Sequence, residues 1–200
     1  MIRVQRPECP YPQALKNGDY SHKVNKEALR DANFDKCMYC ESRISHIDYA
    51  NVEHIKPKAP GKYPELECAW DNLGYACSRC NTNKSDKYSE TTPYIDPYSE
   101  DPEEHIFANG AFLFCKNGSE RGEITIIDIK LNRVDLIEKR KERIEEVVKV
   151  MNACFRTKNA ALRTNALKAI QEEALPDKEY SLVLKTLLRD ATADMFPTLS

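Results

Sequence analysis

The sequence predicts an α+β fold: a zinc-stapled β-hairpin and helix, then a small antiparallel hairpin and C-terminal helices. Three observations predict it. Two Cys-x-x-Cys turns, Cys37-Met-Tyr-Cys40 and Cys77-Ser-Arg-Cys80, are separated by 36 residues, and two such turns can complete one tetrahedral four-thiolate zinc site. The pair Asn117-Gly118 is a tight-turn signal between the β-rich runs FLFC and EITIIDI. After Asn132 the apolar residues change to helical spacing.

In chain order, residues 1–20 carry Pro7, Pro10 and Pro12 and read as an irregular lead-in. Residues 21–33 read as a short helix with Ser21 as its N-cap. Val52 and Ile55 flank Glu53 and His54 as in a short strand that ends at a proline-rich loop, residues 56–64; LGYAC is a second strand and SRCNTNKSDK a short helix. That unit is too small for a stable core, so the zinc would stitch its ends together. Residues 89–104, with Pro93, Pro97 and Pro102, form a connector. Two or three antiparallel strands follow around Asn117-Gly118. Asn132 is the expected N-cap of a helix whose stripe is Val134, Ile137, Ile144, Val147, Val148 and Met151, with Glu138, Lys139, Lys141, Glu142, Glu145 and Glu146 on the solvated face. Two more helices are expected at about 160–175 and 178–195, parted by Pro176-Asp177, with Leu162, Ala166, Ile170, Leu184, Leu187 and Leu188 as their apolar faces. The resulting division is 1–35 (lead-in and helix), 36–90 (zinc-stapled motif) and 91–200 (accessory hairpin and helices).

Composition limits the function. A chain of 200 residues, 41% of them hydrophobic, can bury a real core. Thirty basic against 32 acidic residues give a net charge of −2, which excludes a basic coat for nucleic acid; phosphate binding would need a local site, a metal or a partner. No run approaches the roughly 20 apolar residues of a membrane helix, and the start MIRVQRPECPYP has no apolar leader core. A reducing, cytoplasmic setting is therefore expected, where paired cysteines are metal ligands rather than disulfides. Cys9, Cys68, Cys115 and Cys154 lack partner spacing and are expected to be small buried residues; His46 is a possible competing zinc ligand. Seven of the ten tyrosines fall in residues 39–98, where filling a small core is the expected use and stacking on bases the alternative.

Between the knuckles stand Glu53-His54, Asn72, Asn81 and Lys84. Singly, each is an ordinary strand-end, turn or helix residue. In this order between two zinc knuckles they suggest a site: an imidazole to accept a proton near neutrality, and hard oxygen donors suited to Mg²⁺ or Mn²⁺. Through CMYC, EHIKPK, WDNL and CSRCNTNK, over about residues 36–88, the chain resembles the HNH endonuclease family. Asn72 and Asn81 are nine apart, as in that family; the last motif position is Asn rather than His, and Glu stands before the His where Asp or His is more familiar. The resemblance implies a ββα-metal motif that hydrolyses phosphodiester bonds, with His54 as general base and Glu53 and Asn81 holding the catalytic ion. It implies that Cys37, Cys40, Cys77 and Cys80 hold a structural zinc and that Asn72 pins the loop and orients His54. Lys84, Lys56 and Lys58 would meet phosphates. DPYSEDPEEHIFANG and GEITIIDIKLNRVDLIEKR, within residues 96–140, are similar to the HNH proteins of bacterial anti-phage defence loci, PtuB-like Septu and retron-associated proteins. That similarity implies an ATPase partner of the ABC/SMC type (PtuA-like), invading phage as the trigger, and nucleic acid as substrate, DNA ahead of RNA. A non-catalytic zinc module and a redox protein using the Cys-x-x-Cys pairs are the alternatives.

Overall fold

The computed structural model describes residues 1–44 and 50–195, with side chains described through residue 191; His46 lies outside these. Helix α1 (Pro12–Lys16) opens on a proline, whose missing N–H costs nothing there. Helix α2 (Lys23–Ala32) is capped by the His22 ring rather than by Ser21, one residue earlier. Strands β1 (Ala50–His54) and β2 (Leu73–Cys77) pair antiparallel, His54 opposite Leu73 and Glu53 opposite Gly74. Helix α3 (Ser78–Lys84) follows β2 without a loop. Gly74 allows a close approach, since a Cβ there would overlap the sulfur of Met38.

The second hairpin is β3 (Ile106–Asn109) with β4 (Phe112–Cys115), turning at Gly110-Ala111. EITIIDI, expected as a strand, is instead part of helix α4 (Glu120–Asp128). Ser119 Oγ accepts from Gly122 N at 3.1 Å, so the turn at Asn117-Gly118 leads into an N-capped helix instead of a strand. Thr125 and Ile126 are buried while Ile127 is 61% exposed, a helical rather than an alternating face. Gly122 lies against the backbone of His105, where a Cβ would overlap its carbonyl oxygen.

Three more helices follow: α5 (Val134–Arg156), α6 (Ala160–Glu172) and α7 (Ser181–Met195). Helix α5 is rotated relative to the expected stripe. Leu136, Arg140, Val147, Met151 and Cys154 are its buried residues, whereas Val134 is 70% exposed. Arg133 is its N-cap residue; Asn132 is used otherwise, its amide bonding Leu113 N and O at 2.9 and 2.8 Å and closing the outer edge of β4. In α6, Ile170 is buried but Leu162 is 60% exposed.

One apolar cluster joins Leu29 of α2, the knuckle residues Met38 and Tyr39, Leu73 and Tyr75 of β2, Ile106 and Leu113 of the second hairpin, Ile126 of α4 and Leu182 and Val183 of α7. A second cluster joins α5, α6 and α7 through Val147, Met151, Ile170, Leu184 and Leu188. The lead-in is tied across the motif: Arg6 Nη1 donates to the Trp70 and Leu73 carbonyls at 2.9 and 2.6 Å, and Trp70 Nε1 donates to Pro7 O at 2.8 Å. Of the four cysteines outside the knuckles only Cys154 is buried; Cys9, Cys68 and Cys115 are half-buried. Among the described tyrosines of residues 39–98, Tyr39, Tyr75, Tyr94 and Tyr98 fill the core, while Tyr63 and Tyr88 are half-buried. Among the described residues, no helix is long and apolar enough to cross a membrane.

Candidate active site

Cys37 N donates to Ser42 O and Glu41 N to Cys37 O, folding the first Cys-x-x-Cys back on itself, with Glu41 at a φ of 64° to close the turn. Met38 N donates to Tyr75 O at 2.9 Å, which docks this knuckle on β2. Cys77 ends β2 and caps α3, its Sγ accepting from Cys80 N at 3.5 Å. All four thiols are buried, with sulfurs within 4.8 Å of one another, and Cys40 and Cys77 are 3.9 Å apart. A zinc tetrahedron with bonds of roughly 2.3 Å has an edge of about 3.8 Å, so the donor set fits a structural zinc. Four thiolates around a dication leave net negative charge, and α5 answers it. Arg133 Nη1 donates to Cys80 Sγ at 3.5 Å. Burial would lower the Arg133 pKa, but Cys80 and Cys40 together hold it above its ordinary value. Arg140, buried in the same helix, donates to Ala111 O at 3.2 Å; burial lowers its pKa, partly opposed by Cys40 and Glu41. Arg133 and Arg140 carried no sequence signal; only the packing of α5 brings them here.

Neighbouring residues on a strand point to opposite faces. Glu53 and Asn51 turn toward α3, where Asn51 Nδ2 donates to Ser78 Oγ at 3.0 Å. Lys84 reaches back from the last turn of α3: its ammonium lies 2.7 Å from Glu53 Oε1 and donates to His54 O at 2.7 Å. Both side chains of this ion pair are only 1% exposed, so Lys84 is turned inward instead of presenting its charge to solvent. Tyr39 Oη donates to the same Glu53 oxygen at 3.4 Å. Glu53 Oε2 is buried and has no hydrogen-bond partner among the described residues. Burial pushes the Glu53 carboxyl up from its ordinary value, against the pull of Lys84. An orphaned carboxylate oxygen in so dry a place is chemically suited to a divalent cation. Cys77, Cys80, Asn81 and Lys84 recur at helical spacing on one face of α3, which places half-buried Asn81 on the same face as the zinc ligands and Lys84.

His54 closes β1 and has its own set of contacts. Its Nε2 is 2.9 Å from Glu67 O. A carbonyl can only accept, so Nε2 carries the proton and Nδ1 keeps the lone pair. The ring packs edge-on against Tyr20, centroids 4.7 Å apart. Burial lowers the His54 pKa, partly opposed by the Glu67 carbonyl and reinforced by Lys58 and Lys84, so the ring is held neutral. The chain beyond it is clipped by Asn72: Oδ1 accepts from Lys56 N at 2.7 Å, Nδ2 donates to Lys56 O and Leu66 O at 2.9 and 3.1 Å, and Asn72 O accepts from Ile55 N. One amide thus fixes the exit of β1 that sets the His54 backbone. Lys56 pairs with Glu90 at 2.9 Å between the rings of Tyr63 and Tyr88. Lys58 pairs with Glu67 at 2.6 Å, above the Tyr20 ring. Tyr20 and the Glu67 carbonyl are the contacts that the sequence did not signal, one lying outside the motif and the other belonging to the backbone.

The HNH endonuclease family model matches residues 37–87, the segment that carries every one of these motif residues. A Septu protein PtuB of Bacillus thuringiensis is 30% identical over 217 aligned positions, covering 94% of this chain and 82% of the relative. This chain belongs to the Septu PtuB family of HNH proteins. A second PtuB, from Bacillus mycoides strain KBAB4, is 30% identical over 151 positions, 60% of this chain and 51% of its own length. The PtuB match extends well beyond the 37–87 motif, so the helices that bring Arg133 and Arg140 to the zinc knuckles lie within a chain-length likeness.

Proposed function

We propose that this chain is a metal-dependent endonuclease that hydrolyses nucleic-acid phosphodiester bonds, the nuclease component of an anti-phage defence system that acts with an ABC/SMC-type ATPase. The observation that carries the reading is the fixed tautomer of His54: with Nε2 committed to Glu67 O, the free lone pair on Nδ1 is a ready base. In this reading His54 takes the proton from the attacking water. Glu53, through its unpartnered Oε2, and Asn81 would hold Mg²⁺ or Mn²⁺, which when bound supplies positive charge against the negative charge of the transition state. Asn72 holds the strand exit so that the ring keeps its place. Lys56 and Lys58, at the edge of the site, would exchange their carboxylate partners for substrate phosphates, and Lys84 holds the Glu53 carboxylate and the His54 backbone together. The net charge of −2 supports a partner that supplies most of the nucleic-acid contact.

The test is His54→Ala in the complex with the ATPase. The variant should keep one zinc and its fold while losing Mg²⁺- or Mn²⁺-dependent cleavage; cutting at the parent rate would remove His54 from the mechanism. One observation favours a non-catalytic zinc module instead: Glu53 already has Lys84 as a partner and is almost fully enclosed. That reading predicts one tightly held zinc, no divalent-dependent cleavage, and loss of binding only when the knuckles are broken.

A further inference from the structure

Tyr20 lies in the lead-in, outside residues 37–87, yet it closes a ring of contacts around His54. The imidazole Nε2 bonds Glu67 O; the Glu67 carboxylate pairs with Lys58 at 2.6 Å; the Lys58 ammonium sits 3.8 Å over the Tyr20 ring; and Tyr20 meets the His54 ring at 69°, 4.7 Å between centroids. Glu67 O limits rotation in the imidazole plane, and the Tyr20 ring limits tilt out of it. Without the second restraint, the Nε2 bond is left to compete with water. The lead-in is itself anchored to the motif by Arg6 and Trp70, so Tyr20 is presented on a fixed segment.

We infer that Tyr20 is a positioning residue for His54: its ring, backed by Lys58, holds the imidazole so that Nδ1 alone faces the reacting centre. This deepens the endonuclease reading and rests on it for the chemistry, though not for the geometry. The contact with His54 is ring against ring, so phenylalanine should serve and alanine should not. Misplacing a base by a fraction of an ångström costs on the order of tenfold or more in turnover without weakening substrate capture.

The experiment compares full-length parent, Tyr20→Phe and Tyr20→Ala. Nitrogen NMR of the His54 ring should report one tautomer, proton on Nε2, in the parent and Tyr20→Phe, and an exchanging mixture in Tyr20→Ala. Mn²⁺-dependent plasmid cleavage in the ATPase complex should show kcat reduced about tenfold in Tyr20→Ala with KM unchanged, and restored in Tyr20→Phe. An unaltered His54 spectrum in Tyr20→Ala overturns the inference whether or not the complex cuts DNA. So does a loss confined to KM. His54→Ala, run alongside, separates the two ideas: parent-like cleavage by that variant ends the general-base reading, while the Tyr20 spectra still decide whether Tyr20 holds the ring.

Discussion

Replacing Lys84 with methionine removes the ammonium and keeps most of the side-chain volume. It leaves Glu53 at 1% exposure with its cation gone, Tyr39 as its hydrogen-bond donor at 3.4 Å, and the His54 carbonyl without the 2.7 Å bond from Nζ. Breaking a buried ion pair by deleting one partner costs about 3–5 kcal/mol, and the orphaned carbonyl works in the same direction. In a chain of this size each kcal/mol lowers Tm by roughly 2–4 °C, so a fall of about 10 °C is expected. The cost should shrink at acid pH. Burial already raises the Glu53 pKa; with Lys84 gone it rises further, so the variant protonates Glu53 while the unfolded chain is still ionised. Below the ordinary value of 4.5 both states are protonated and the charge penalty vanishes. The assay is urea unfolding at saturating zinc, from pH 7 down to pH 4, of the parent, Lys84→Met, Glu53→Gln and the double variant. A coupling energy of at least about 2 kcal/mol at pH 7 is expected from the cycle. Additivity of the two single variants, or a Lys84→Met loss below about 1 kcal/mol, would refute the view that this pair is a dry, mutually dependent unit.

Two further outcomes follow from the same geometry. Because all four zinc ligands belong to the cluster that also contains Leu29, Ile106, Leu136 and Leu182, stripping the metal with a tight chelator should unfold α2, both hairpins and α7 in one cooperative transition; circular dichroism against zinc content checks this, and a retained C-terminal transition would contradict it. Glu100 is held below its ordinary value of 4.5: burial opposes this, but Arg121, the Asp96 N–H and His105 outweigh it. Its folded pKa is depressed, so its contribution is complete above that ordinary value and is lost as pH falls toward the folded one. Glu100→Gln should therefore cost stability at pH 7 and flatten the decline below pH 4.5, measured by thermal melts across that range.

The clearest contrast between sequence and structure is in residues 117–129. EITIIDI has the β-branched run of a strand, and Asn117-Gly118 has the chemistry of a hairpin turn. Yet Ser119 caps a helix, and the true hairpin turns at Gly110-Ala111, whose glycine belongs to a second Asn-Gly pair, Asn109-Gly110. Intrinsic β preference spans only about 1 kcal/mol, and a cap together with burial of Thr125 and Ile126 on one helical face outweighs it. Helix α5 makes the same point through phase: a buried Arg140 replaces an apolar residue in its stripe, and no reading of apolar spacing would select it.

By itself the sequence determined the local chemistry. Two Cys-x-x-Cys turns fix four thiols, the bounds of LGYAC coincide with β2, and the family model, over residues 37–87, takes in the motifs from CMYC through CSRCNTNK. Each of these features is a short run of consecutive residues, within which covalent geometry dictates what can meet. Only the tertiary structure decided which way Lys84 points, that a backbone carbonyl sets the His54 tautomer, that Tyr20 from the lead-in braces the ring, and that α5 supplies the cations beside the zinc ligands. Those contacts join residues far apart in the chain, or use backbone atoms common to every residue, so neither spacing nor side-chain type marks them before the chain is folded.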